Sequence, residues 1–73
     1  MDLHVGDRLR QLRERLRLSE AMLAGELALS TRQLRNYERG ENQLSVRTLY
    51  RISRHLGAPI GYFFEGLSPV NDG

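Results

Sequence analysis

Thr31, Arg32, Gln33, Arg35 and Asn36 are five hydrogen-bonding side chains on a short stretch whose apolar residues are Leu34 and Tyr37. At helical spacing, Leu34 and Tyr37 point inward and the polar residues point outward. A guanidinium can donate two bonds to a guanine, and an amide can pair with an adenine. A helix with a thin apolar face and an outward face of Thr, Arg, Gln and Asn is therefore suited to reading base edges. Other chemistry has little support. His4 and His55 are the only histidines and have no third ligand in phase, so no metal site is expected. There is no Gly-rich phosphate loop and no nucleophile with a base nearby. Ser19, Ser30 and Ser45 read better as helix caps. The residues thus predict neither an enzyme nor a cofactor.

The polar face needs elements to hold it, and Ser19 to Gly40 supplies them. Ser19 caps a helix over Glu20 to Leu27, in which Leu23, Ala24 and Leu27 share one face. Ala28 and Leu29 break the phase. Ser30 then caps a second helix over Thr31 to Arg39, and Gln33 completes a capping box, S-x-x-Q. Gly40 is the expected left-handed stop. The pattern is two short helices joined by a tight turn, with the second presented outward.

The rest of the chain supplies a frame. Val5, Leu9, Leu12 and Leu16 repeat at i, i+4, i+7 and i+11, predicting a first helix over Val5 to Arg17 with those four residues buried. Arg8, Arg10, Arg15 and Arg17 lie off that stripe on a solvated face, with Glu14 able to pair with Arg10 or Arg17. Ser45 caps a helix over Val46 to Leu56, with Val46, Leu49, Ile52 and Leu56 inward and Tyr50 and Ser53 at the edges. Arg47, Arg51 and Arg54 form a basic ridge, the latter two solvated. Gly57 and Pro59 end that helix. A short fifth helix over Ile60 to Phe64 places Ile60 and one phenylalanine in the core. Residues 67–73 read as a flexible tail beyond a domain over 1–66.

Seventy-three residues bury only about 60% of their unfolded surface, so the stability margin is thin. The absence of cysteine excludes disulfides and suits a reducing cytoplasm. No apolar run approaches the ~20 residues of a membrane span, and Met1 to Val5 lacks a signal-peptide pattern. The net charge is +2, and its placement is uneven. Residues 1–29 hold five Arg and five acids, residues 30–57 six Arg and two Glu, and residues 58–73 two acids. Positive charge therefore gathers on the outward helix and the segment C-terminal to it, as a phosphate-facing surface requires.

These residues resemble the helix-turn-helix of the lambda-repressor/Cro family, the xenobiotic-response-element family of bacterial and phage regulators. The likeness rests on small Ala24, on apolar Leu23, Leu27, Leu29, Leu34 and Tyr37, on Glu38-Arg39-Gly40, and on the closing Tyr62-Phe63-Phe64-Glu65-Gly66. It runs from about Val5 to Glu65. It implies an all-α, compact five-helix DNA-binding domain. By the same resemblance Thr31, Arg32, Gln33 and Asn36 face bases, while Ser30, Arg39, Asn42 and Arg47 contact the DNA backbone. Arg35 faces solvent or the backbone. Arg13 and Glu38 would form an ion pair between the first and third helices. The chain departs from the pattern at Glu20, where the family has a phosphate-contacting Gln, at Gly25, and at Ala28 in place of Gly. Glu20 must point away or lower affinity. The implied function is a sequence-specific transcriptional regulator of double-stranded DNA, cytoplasmic and homodimeric. Its operator would be a pseudo-palindrome, with Tyr62, Phe63 and Phe64 as the guessed dimer edge. The alternatives are an antitoxin with a toxin partner, and a protein-interaction module that lost DNA binding.

Overall fold

Local chemistry starts and stops each helix. The computed structural model describes residues 2–66, which form α1 (Asp2–Arg15), α2 (Glu20–Glu26), α3 (Thr31–Glu38), α4 (Val46–Leu56) and a closing 3₁₀ helix (Ile60–Phe64). The expected flexible tail, 67–73, lies outside the described residues. The fifth helix is thus a 3₁₀ turn, and the fold is four α-helices with no strand among the described residues.

Three serines open three helices. Ser19 Oγ accepts from Met22 N at 3.0 Å, and Ser45 Oγ from Thr48 N at 3.1 Å. Ser30 Oγ accepts from Gln33 N at 3.0 Å while Gln33 Oε1 accepts from Ser30 N at 2.9 Å, a complete capping box. All four α-helices close in the same way, with a left-handed residue whose successor's N–H reaches back five residues. Leu18 N donates to Arg13 O, Leu29 N to Ala24 O, Glu41 N to Asn36 O and Ala58 N to Ser53 O. Gly40 and Gly57 occupy two of these left-handed positions, at φ 73° and 71°. Arg17 and Ala28 occupy the others, at φ 60° and 59°, where a Cβ is strained.

The core is made of Val5, Leu9 and Leu12 from α1, Leu23, Ala24 and Leu27 from the α2 region, Leu34, Leu49, Ile52 and Phe63. Leu18, Leu29, Tyr37, Leu44, Leu56 and Ile60 pack around it. Two expected core residues fall outside. Leu16 is 44% exposed because α1 ends at Arg15 and the chain turns before the stripe's last repeat. Val46 is 73% exposed because it stands at the first position of α4, one turn short of the buried Leu49. Ser53, expected at the edge, is buried, and its hydroxyl donates to Tyr50 O at 2.8 Å.

α1 packs against α3 and the 3₁₀ helix, and α2 against α3. The α1–α3 contact depends on Gly6, a residue whose role is not visible in the sequence. A Cβ there would press on the Tyr37 and Glu38 carbonyl oxygens, so only glycine lets the end of α3 approach this closely.

Candidate nucleic-acid interface

The position of α3 is fixed by what it buries. Leu34 is fully buried and Glu38 nearly so. At ~100° per residue, Arg32 and Asn36 lie about 160° and 200° around the helix from Leu34, together on the opposite face. Arg32 and Gln33 are exposed; Thr31 and Asn36 are half-buried. The outward face predicted for α3 is therefore assembled, but its members differ in freedom. Gln33 Oε1 is committed to the Ser30 N–H, leaving its amide donors to face outward. The Ser30 hydroxyl accepts from Gln33 N and can still donate its own proton.

Glu38 is held by a fork. Arg13 Nε donates to Glu38 Oε2 at 2.7 Å and Nη2 to Oε1 at 3.1 Å, while Nη1 donates to Leu18 O at 3.0 Å. Only 11% of the Arg13 side chain and 3% of the Glu38 side chain are exposed. The hydrogen bonds to Glu38 outweigh burial and push the Arg13 guanidinium pKa upward, so Arg13 stays charged. It ties the C-terminal end of α3 to α1.

Arg35 does not face solvent or a backbone freely. Its Nη2 donates to Glu20 Oε1 at 3.0 Å and its Nε reaches Oε2 at 3.5 Å, joining the first residue of α2 to α3. The Glu20 carboxyl is held below its ordinary range, chiefly by the hydrogen bond from Arg35 and further by the charges of Arg35, Arg13 and Arg39. Glu20 thus neither points away nor stands alone against the basic surface.

The remaining arginines divide cleanly. Arg8 donates through Nε to Tyr62 O at 2.9 Å and pairs with Glu65 at 2.9 Å, its guanidinium 3.9 Å from the centre of the Tyr62 ring. Arg10 pairs with Asp7 and, at 3.4 Å, with Glu14. Arg51 Nη2 donates to Leu27 O at 2.6 Å, satisfying a carbonyl at the end of α2. Arg54 lies over Tyr50. Arg8 and Arg51, expected to be solvated, are therefore structural clamps. Arg15, Arg17, Arg32, Arg39 and Arg47 make no side-chain hydrogen bond or ion pair among the described residues. Three of these five, Arg32, Arg39 and Arg47, come from α3, its cap and the start of α4, and all are exposed. Asn42, in the intervening loop, is also exposed.

The guessed dimer edge loses one member. Phe63 is fully buried, the largest side chain in the core, because the 3₁₀ turn aims it between α1 and α4. Tyr62 and Phe64 are half-buried, and Tyr62 is partly covered by Arg8. Among the described residues no group of three His, Cys, Asp or Glu could hold a metal ion, and no helix is long and apolar enough to cross a membrane.

Known proteins resemble this arrangement. Residues 9–63 match a family model described as helix-turn-helix. An uncharacterized transcriptional regulator in the ATPase CF(0) region of Rhodospirillum rubrum is 43% identical over 76 residues, covering all of this chain and 70% of that protein. The chain spans about half, 46–47%, of several rhizobial HTH-type regulators. The restriction-modification controller protein C.AhdI from Aeromonas hydrophila superposes with a TM-score of 0.77 at 27% identity, over 85% of this chain and 94% of its own. A substrate complex of FeII HppE contains a similar fold, with a TM-score of 0.80 and 28% identity over 86% of this chain. That match takes in only 37% of the HppE chain, so the likeness is to one part of it.

Proposed function

The chain belongs to the xenobiotic-response-element type of helix-turn-helix transcriptional regulators, and from that membership we propose that it reads double-stranded DNA sequence-specifically with α3 in the major groove. One observation carries the reading: Arg32 and Arg39, on α3 and its cap, and Arg47, at the start of α4, are exposed and make no side-chain hydrogen bond or ion pair among the described residues, while Arg13, Arg35 and Arg51 are each engaged by a partner within the protein. Arg32 donates two bonds to a guanine and Asn36 pairs with an adenine, with Thr31 and the Gln33 amide donors on adjacent bases. Ser30, Arg39, Asn42 and Arg47 bind phosphates and fix register. One such helix makes few base contacts. The protein therefore acts as a homodimer on a pseudo-palindrome, its half-sites about one helical turn apart. It works in the cytoplasm as a binding protein rather than an enzyme, without a cofactor.

Selection from a random duplex pool tests this directly. We expect enrichment of a two-fold symmetric site. On that site Arg32→Ala costs about 1–3 kcal/mol and relaxes preference at one base position per half-site. A retained but unenriched pool, or an Arg32→Ala variant with unchanged specificity, overturns the assignment of α3.

A further inference from the structure

We propose that Glu20 takes the place of a DNA phosphate opposite Arg35, so that Arg35 adds no phosphate contact to the complex and the affinity for every duplex is set lower. The proposal rests on the reading of α3 as the DNA-facing helix. Arg35 sits one residue from Asn36 and three from Arg32, beside the outward face, where a free guanidinium would reach for the DNA backbone. Instead it presents Nη2 and Nε to the two oxygens of Glu20, at 3.0 and 3.5 Å. A carboxylate offers a guanidinium fork much the same pair of anionic oxygens as a phosphate does. The pair is reachable from solvent, with 44% of the Arg35 side chain and 31% of the Glu20 side chain exposed, unlike the sealed Arg13–Glu38 fork. The Glu20 carboxyl, ionised at neutral pH, is held below its ordinary range chiefly by the hydrogen bond from Arg35, with the charges of Arg13 and Arg39 adding to it. A tethered anion thus occupies the seat at no cost in bringing the partners together, and a phosphate from DNA must compete with it.

The prediction is quantitative because each phosphate neutralised by a cation adds about 0.9 to the slope of log affinity against log salt. Glu20→Gln frees Arg35, steepens that slope by about 0.9, and tightens binding roughly eightfold at ~0.1 M salt. The gain is the same on the selected operator and on a random duplex, because phosphates carry no sequence. Glu20→Ala gives the same gain, which separates the release of Arg35 from any contact made by a new amide. Arg35→Ala alone gives no gain, since it leaves the Glu20 carboxylate unpaired beside the DNA, and Glu20→Gln combined with Arg35→Ala loses the gain. Fluorescence anisotropy over a salt series reads all five proteins. The proposal is overturned if Arg35→Ala alone tightens binding, if the double variant stays as tight as Glu20→Gln, or if the gain is confined to the operator. If the unaltered protein binds no duplex at low salt, the DNA-reading assignment fails first, and this inference falls with it.

Discussion

Glu38 shows how one side chain can position a surface it does not belong to. It lies at the end of α3, faces inward, and is gripped at both oxygens by Arg13, whose third nitrogen holds the Leu18 carbonyl. Removing one partner leaves a buried charge without compensation, whereas removing both leaves only a space to fill. Glu38→Ala is therefore expected to cost about 3–5 kcal/mol in urea unfolding. Arg13→Met with Glu38→Leu should recover much of that loss. Equal destabilisation by the single and double changes would show that packing, not charge, holds this joint. The two residues stand out in the sequence only through a resemblance to relatives; spacing alone does not link positions 13 and 38. The partners of Arg8, Arg35 and Arg51 were not legible for the same reason. An arginine on a helical pattern reads as solvated until the fold brings Tyr62, Glu20 or the Leu27 carbonyl beside it. Gly6 is similar, because its need for a missing Cβ comes from the carbonyls of Tyr37 and Glu38, far along the chain.

The helices themselves were far more legible, because their signals are local. Ser19, Ser30 and Ser45 begin three of them and Gly40 and Gly57 end two, each through atoms within five residues. The failures sit at the ends of apolar stripes, where periodicity continues past the point at which the chain turns away, as at Leu16, or begins before the core is reached, as at Val46. Between elements, the Glu20–Arg35 pair gives α2 and α3 a pH-dependent tie. The Glu20 pKa is lowered in the folded chain from its ordinary 4.5, so the folded state binds this proton less readily than the unfolded one. The stabilisation is accordingly complete above that ordinary value and is lost as the pH falls through the folded one. For so exposed a pair, screened by water, it is small. The thermal midpoint of the unaltered protein should exceed that of Glu20→Gln slightly at pH 7, and the two should converge well below pH 4.5. A gap that persists in acid would assign the effect to shape rather than charge.

For the whole molecule, total stability is of order 4–11 kcal/mol at ~0.05–0.15 kcal/mol per residue, so small local errors count. α2 and the turn that closes it contain two of them. Gly25 lies in the last turn of α2, exposed, with open space where a Cβ would go, and Ala28 three residues later holds a left-handed φ of 59°. Each is suited to the other's place. Gly25→Ala is expected to add about 1 kcal/mol and Ala28→Gly about 0.5–1 kcal/mol. Together they should raise the thermal midpoint by several degrees without touching the outward face of α3. An unchanged or lower midpoint would mean that the turn depends on something besides its backbone angle. In the genetic code, alanine and glycine differ by a single base, as do arginine and glycine at Arg17, the other strained helix end. The more stable versions of this protein are therefore its immediate neighbours in mutational space. In a population kept under rising temperature, codons 17, 25 and 28 are where the first heritable gains should surface.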